Sequence, residues 1–275
     1  MDINGKTKVF GIFGLPVEHS LSPAMHNAAF SALGMDCCYV AFPVGSDMLG
    51  NAVNAVRALN LGGVNITVPH KENVIPFLDA LSEEASFMGA VNTIKNEDGR
   101  LTGHNTDGRG FMRSLSESGI PCKDRKILMI GAGGAARAVG YHLCRDAETL
   151  YIYNRGGERG KALAQALNNL SGNVRLIDKD GFGDADFIFG IDIIVNTTPL
   201  GLKDDDPMPM DMVLLKPSHT ICDLIYKDTP MLRRAAALGC KTLNGKGMLL
   251  WQGVLAFEIW TGVTPPVDVM RKALG

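Results

Sequence analysis

The chain has 275 residues, 46% of them hydrophobic, and a formal net charge of −2. That length calls for one large or two modest α/β domains with well-filled cores. The weak negative charge and the lack of a basic cluster argue against a nucleic-acid footprint. No run of about eighteen apolar residues marks a membrane span, and the opening MDINGKTKVF lacks the apolar stretch of a signal peptide. Six cysteines without C-x-x-C spacing read as reduced thiols of a cytoplasmic protein, and six histidines form no ligand spacing, so no metal site is expected.

In chain order, Val9 to Phe13 reads as a strand. A helix over Pro23 to Leu33 follows, with Ser22 as N-cap, Pro23 in the first turn and Gly34 at the stop. Further strands are expected at Cys38 to Pro43, Gly63 to Val68 and Thr93 to Asn96, with a helix from Met48 to Leu59 between the first two. Asp98-Gly99 reads as a hairpin turn into Leu101 to His104. A helix from about Arg109 to Ser118 then leads to Pro121.

The stretch from Lys126 to Arg155 carries the most information. An apolar run, Ile127 to Ile130, enters a glycine-rich turn, and a helical pattern leads to a second apolar run, Leu150 to Tyr153. Gly131, Gly133 and Ala136 fit G-x-G-x-x-A, in which small residues let backbone N–H groups and a helix N-terminus approach a pyrophosphate. In a chain with 32 glycines the spacing alone is weak, and the strand–turn–helix–strand context gives it weight. The second run ends in Asn154-Arg155, where an NAD site would carry Asp or Glu; an arginine there suits the 2′-phosphate of NADP. Later strands are expected at Val174 to Ile177, Ile193 to Asn196, Thr220 to Asp223 and Lys241 to Leu243. Helices are expected at Met248 to Trp260 and Val267 to Leu274, packing back on the first domain, with a small-molecule cleft between the two α/β lobes.

Among charged residues of the first third, Lys71 stands out. It follows Pro69 at what reads as a strand-to-helix junction near Asn65 and Thr67, where a helix N-terminus would ease loss of its proton. Surface solvation is the plain alternative for any lysine. Asp107 in GHNTDG reads as an N-cap, and its position after a hairpin strand also suits a ligand-facing carboxylate. Ser20 and Ser22 precede a helix, where two hydroxyls fit either capping or a carboxylate clamp. Trp251, Phe257 and Trp260 are read as packing residues, whereas Gln252, a lone amide among apolar neighbours, needs a polar partner. Met208 and Met210 read as surface loop and Asp204 to Asp206 as a solvated acidic run. His19, His26, His70 and His104 are explained by capping and loop hydrogen bonds.

Taken together, GLPVEHSLSPAMHNAAF (14–30), GVNITVPHKE (63–72), GAVNT (89–93), GHNTDGRGF (103–111), GAGGAARA (131–138), NR (154–155), NTTPLG (196–201), DLIY (223–226) and GKGMLLWQGVLAFEIWTG (245–262) resemble the shikimate dehydrogenase family, nearly end to end. The resemblance implies reversible NADPH-dependent reduction of 3-dehydroshikimate to shikimate in aromatic amino-acid and chorismate biosynthesis. It implies two α/β lobes: an N-terminal substrate domain (1–107), a Rossmann-like, doubly wound NADP-binding domain (108–245), and C-terminal helices (246–275) returning to the first lobe. Ser20 and Ser22 would bind the substrate carboxylate, while Thr67, Lys71, Asn92, Asp107 and Gln252 would contact the ring hydroxyls and the reacting oxygen. Lys71 and Asp107 would be the acid–base pair. Gly131, Ala132, Gly133, Gly134 and Ala135 would hold the pyrophosphate, and Asn154, Arg155 and Arg159 would surround the 2′-phosphate. Thr198, Leu224 and Gly245 would lie near the nicotinamide, with Tyr226 at the substrate–cofactor junction.

Three features depart from the family pattern or blur it. Gly156-Gly157 stands where relatives often carry a threonine after Asn-Arg, the segment after Tyr226 is short, and GMLLWQG also occurs in quinate/shikimate dehydrogenases that accept NAD. One retained arginine–phosphate bond, worth about 1.5–3 kcal/mol, would still favour NADP by tenfold or more. The rival readings are a quinate/shikimate dehydrogenase using NAD, a non-catalytic dinucleotide-sensing regulator, and an unrelated two-lobed reductase. The SLS and NTDG segments disfavour the last, and the joint presence of Lys71, Asp107, Ser20, Ser22 and Gln252 disfavours the sensor. The partners expected are small molecules, with either a monomer or a homodimer open.

Overall fold

The structure, a computed structural model, describes residues 3–203 and 205–275. Asp204, part of the acidic run noted above, lies outside the described residues. The chain divides into two compact units. The first runs to Thr106 and takes in Gln252–Gly275; the second is Asp107–Trp251. The later boundary therefore falls inside a helix, six residues beyond the 245 expected, and the earlier one falls just before Asp107.

In the first unit the elements are β1 (Lys8–Gly14), α1 (Ser22–Ala32), β2 (Cys37–Pro43), α2 (Leu49–Ala58), β3 (Gly63–Ile66), β4 (Ala80–Leu81), α3 (Glu83–Met88), β5 (Thr93–Glu97) and β6 (Arg100–His104). The second unit holds α4 (Asp107–Glu117), β7 (Lys126–Ile130), α5 (Gly134–Asp146), β8 (Thr149–Tyr153), α6 (Gly157–Ser171), β9 (Val174–Leu176), α7 (Lys179–Gly183), α8 (Ala185–Phe189), β10 (Ile193–Asn196), β11 (Thr220–Asp223), α9 (Pro230–Ala237) and β12 (Lys241–Leu243). The long α10 (Lys246–Thr261) begins in this unit and ends in the first, where α11 (Val267–Ala273) completes the chain. None of these helices is long and apolar enough to cross a membrane.

The first sheet has the order β2-β1-β3-β5-β6-β4. It is parallel through β2, β1 and β3, and antiparallel at β3–β5 and β5–β6. Asp98 and Gly99 turn the β5–β6 hairpin with positive φ values of 51° and 91°, as an Asp-Gly hairpin turn requires. Successive side chains of β1 point to opposite faces. Phe13 joins Val53, Val56, Val64 and Ile94 on the face that α2 covers. Phe10 stacks on Phe30 of α1 and packs at a tilt against Trp260 of α10, with ring centroids 5.2 Å apart in both pairs. The C-terminal helices thus close the other face of this sheet, and Phe257 and Trp260 are core residues as expected.

The second sheet is wholly parallel, ordered β12-β11-β10-β7-β8-β9. Counted from β7, this is the 3-2-1-4-5-6 order of a doubly wound dinucleotide-binding sheet, in which ligands sit at the carboxyl edge where the order reverses. β7 is buried on both faces, with Leu128 and Ile130 in the cluster that includes Ile194, Ile221 and Met231.

Several local expectations are corrected. Ser22 is the first residue of α1, and the residue before it, Leu21, has no side-chain capping bond; the capping hydroxyl is that of Ser20, which accepts from the Ser22 N–H at 3.3 Å. β3 ends at Ile66, and no α-helix follows Pro69: residues 67–74 form successive turns, then a single 3-10 turn, Ile75–Phe77. Asp107 is already helical, in the first turn of α4. Met210 is 4% exposed and belongs to the second unit's core, unlike Met208. Asp206 is more than a solvated charge, because it accepts the N–H groups of Lys203 and Gly201 at 2.9 and 3.1 Å, which holds its carboxyl below the usual range. Trp251 is half-exposed, bonding Glu117 at 3.1 Å with Arg113 over its ring.

Candidate active site

At the first sheet's edge, the ends of β1, β3 and β6 carry the residues singled out in the sequence. Gly14 ends β1, and a Cβ there would overlap the Thr67 side chain, so only glycine lets Thr67 approach this closely. Thr67 is tied back by its N–H to Phe13 O at 3.0 Å. Lys71 lies half-buried in the turns that follow, and its carbonyl accepts from Val91 N–H at 2.8 Å. The helix-dipole argument for lowering its proton affinity lapses with the helix. What the fold supplies is a backbone anchor beside Asn92.

Asn92 is 3% exposed and sits at the centre of a buried polar network. Its Oδ1 accepts from Thr106 N–H and from Thr93 Oγ1, both at 2.9 Å. Its Nδ2 donates to Thr106 Oγ1 at 2.9 Å, and that hydroxyl donates to the Gln252 carbonyl at 3.0 Å. These bonds hold the chain on both sides of Asn92 and place Thr106, immediately before Asp107. Gln252 itself is half-buried at the point where α10 enters this unit.

Two residues that the sequence did not single out as site candidates belong to the same network. Tyr39 of β2, 2% exposed, donates its phenol proton to Asn65 Oδ1 of β3 at 2.7 Å. Asn65 Nδ2 in turn donates to Asn92 O at 3.0 Å and Thr93 Oγ1 at 3.1 Å. A signal was present: Asn65 is a lone amide in a four-residue strand buried throughout, and such a group demands partners. His26, fully buried, stacks on the Tyr39 ring with centroids 4.6 Å apart. Neither of its nitrogens has a hydrogen-bond partner, and burial lowers its pKa to about 3. Neither capping nor a loop hydrogen bond, the explanations offered by the sequence, applies to it.

In the second unit the glycine-rich turn follows β7. Gly131 has φ +114°, and a Cβ there would overlap Thr197 Oγ1 and press on Thr198 at 3.1 Å. Glycine is required on both counts. Gly133 is the N-cap of α5 without a side-chain cap, and ahead of Gly133 and Gly134 a Cβ would meet nothing within 4 Å. Ala132 is half-buried and Ala135 exposed. An uncapped helix N-terminus facing open space suits an anion.

Asn154 and Arg155 follow β8 on the same edge. Asn154 Nδ2 donates to Gly156 O at 2.6 Å, fixing the turn into α6. Arg155 and Arg159 are exposed, and neither has an ion-pair partner among the described residues. Thr198 and Leu224 meet at Asn196: its Oδ1 accepts from Thr198 Oγ1 at 2.7 Å and its backbone carbonyl from Leu224 N–H at 3.1 Å. Gly245 donates to Ile225 O at 2.9 Å, and a Cβ there would overlap the Leu224 carbonyl. Buried Asp223, its pKa raised by desolvation, braces this corner by accepting from Ile225 N–H and Thr229 Oγ1. Tyr226, 51% exposed, extends beyond it. These groups fit a dinucleotide with a 2′-phosphate: an anion cradle, two free guanidinium groups, and a glycine-lined corner two strands away.

Known proteins match this arrangement along the whole chain. Residues 12–94 match the shikimate dehydrogenase substrate binding domain, 114–195 the shikimate / quinate 5-dehydrogenase family, and 245–274 the shikimate 5'-dehydrogenase C-terminal domain. A relative from Desulforamulus reducens named shikimate dehydrogenase (NADP(+)) is 49% identical, covering 99% of this chain and 96% of its own. The shikimate 5-dehydrogenase of Listeria monocytogenes, solved with shikimate and NAD, superposes with a TM-score of 0.93 at 39% identity over 100% of this chain and 99% of that one. That of Thermus thermophilus, solved with NADP(H) and shikimate, gives 0.87 at 38% identity, covering 97% and 98%. With likeness of this degree sustained from one end to the other, the chain belongs to the shikimate dehydrogenase family.

Proposed function

We propose that the chain is an NADP-dependent oxidoreductase that interconverts 3-dehydroshikimate and shikimate. The observation that carries this reading is the 49% identity to a named NADP(+) shikimate dehydrogenase across 99% of the chain. The glycine-lined turn at the α5 N-terminus and the two unpaired arginines after β8 support it.

Bound NADPH supplies the hydride that reduces the ketone carbon. Lys71 would stabilise the negative charge that develops on the substrate's carbonyl oxygen and deliver the proton to it. Asp107 is its carboxylate partner and a ligand for a ring hydroxyl. Ser20 and Ser22 take the substrate carboxylate, with Thr67, Asn92, Gln252 and Tyr226 fixing the ring. Gly131 to Ala135 hold the pyrophosphate, and Asn154, Arg155 and Arg159 the 2′-phosphate. Thr198, Leu224 and Gly245 border the nicotinamide. The anchoring of Lys71 O by Val91 and the bonding of Asn92 to Thr106 support these roles, because groups held by buried bonds need little reordering when substrate binds.

We place the three sections at 1–107, 108–245 and 246–275 as functional segments, and the protein in the cytoplasm, where six buried, unpaired cysteines stay reduced. The deciding assay is shikimate-dependent reduction of NADP⁺ by the purified protein, with quinate and NAD⁺ as controls. Faster turnover of quinate with NAD⁺ would replace this reading with the quinate/shikimate alternative. No turnover of either would favour the sensor.

A further inference from the structure

Asp223, the last residue of β11, is 1% exposed and stands at the carboxyl edge of the doubly wound sheet, where such folds receive their ligands. Its Oδ1 accepts from Ile225 N–H at 3.1 Å and its Oδ2 from Thr229 Oγ1 at 2.9 Å. Thr229 is fully buried, and no other acceptor is bonded to its hydroxyl. A proton on Asp223 Oδ2 would reverse that bond and strand the threonine's own proton, so the hydrogen bonds favour the carboxylate. No lysine, arginine or histidine forms an ion pair with it among the described residues. The positive end of α9, which Thr229 caps, offsets part of the cost of burial. Desolvation nevertheless raises the Asp223 pKa. An amide or a hydroxyl could make the same turn without a charge. The second unit thus holds a buried negative charge with no counter-ion of its own, which is a costly arrangement.

We propose that Asp223 makes this corner discriminate between the two oxidation states of the cofactor, its fixed negative charge binding the oxidised form more tightly. The inference rests on the reading of Leu224 and Gly245 as the border of the nicotinamide. Leu224 follows Asp223 directly, and Gly245 donates its N–H to Ile225 O at 2.9 Å, so both border residues hang on the segment that the carboxylate holds. A nicotinamide ring is neutral when reduced and cationic when oxidised, and a cation is what the buried carboxylate lacks. In a low-dielectric interior such an attraction is several times stronger than at the surface. Its chemical consequence is to favour departure of hydride toward the ketone carbon. The adenosine end of the cofactor carries the same charge in both forms and gains nothing from it.

The test measures dissociation constants, without shikimate, for NADP⁺, NADPH and adenosine 2′,5′-bisphosphate, the last of which lacks the nicotinamide. Wild type is compared with Asp223→Asn and Gly245→Ala. Asp223→Asn keeps the size of the side chain and an acceptor for Ile225 N–H, and removes the charge. It should weaken NADP⁺ about tenfold relative to NADPH and leave the bisphosphate unchanged. Gly245→Ala puts a Cβ against the Leu224 carbonyl, so it should weaken NADP⁺ and NADPH alike and spare the bisphosphate. If Asp223→Asn leaves the ratio of the NADP⁺ and NADPH constants unchanged, the inference is overturned, while the reading of the corner stands as long as Gly245→Ala weakens both. If Gly245→Ala spares both, that reading falls and takes the inference with it. Should Asp223→Asn lower the melting temperature by more than about 10 °C, Asp223→Ser replaces it, because a serine hydroxyl forms the same turn without a charge. The same selective loss of NADP⁺ is then expected, and an unchanged ratio overturns the inference there too.

Discussion

Lowering the pH should weaken the first unit through one side chain, His26. It is completely buried among Tyr39, Phe257 and Trp260, and neither nitrogen has a partner. Desolvation lowers its pKa from 6.5 to about 3. Below pH 6.5 the unfolded chain takes up a proton that the folded chain refuses until about pH 3, so the unfolded state binds more protons across that window. Stability is therefore full above pH 6.5 and falls as the pH drops towards 3. At about 1.4 kcal/mol per pH unit, going from pH 7.5 to pH 4.5 costs about 3 kcal/mol. The assay is urea unfolding followed by Trp260 fluorescence in a Trp251→Phe background, which leaves one tryptophan, 5.3 Å from His26. His26→Leu should lose this component of the acid dependence. At neutral pH its stability should match or exceed that of the parent, since no hydrogen bond is lost. His142, with a pKa lowered to about 4, and His219 are present in both proteins and cancel in the comparison. Equal stability losses in parent and His26→Leu, to within about 0.5 kcal/mol, would refute the reasoning.

Other perturbations test the remaining parts. Lys71→Ala should lower turnover about 10²–10⁴-fold while shikimate still binds, as measured by calorimetric titration; near-normal turnover would remove Lys71 from the proton transfer. Arg155→Ala should raise the KM for NADPH about tenfold and leave that for NADH unchanged, and an equal effect on both would dissociate Arg155 from the 2′-phosphate. Gly131→Ala puts a Cβ against Thr197 at φ +114°, so loss of about 2 kcal/mol in thermal unfolding and of NADP⁺ binding is expected. A variant that is both stable and binds normally would show that this turn yields easily.

Much of the second unit was legible because its signals are local. The run Ile127 to Ile130, the glycine turn and the run Leu150 to Tyr153 each announce themselves over a few residues, and β7, α5 and β8 form where they indicate. The Asp98-Gly99 hairpin is equally local. The short β4 and α3 escape a sequence reading because a two-residue strand has no period to detect; β4 exists through its pairing with β6. A proline after a strand end promised a helix at Lys71, but the backbone there follows a series of turns.

By itself, then, the sequence determined which residue types stand at which strand ends: the glycines of the α5 turn, the arginines after β8, the lysine and serines of the first unit. Local propensity and spacing suffice for that. Only the tertiary structure decided how they are held. Tyr39 meets Asn65 because β2 and β3 both flank β1 while α1 lies above them, and Thr106 reaches Gln252, 146 residues away, because α10 returns to this sheet. Hydrogen-bond partners so far apart leave no periodicity in the chain. Their pairing is fixed by strand order and by the cost of burying polar groups unsatisfied.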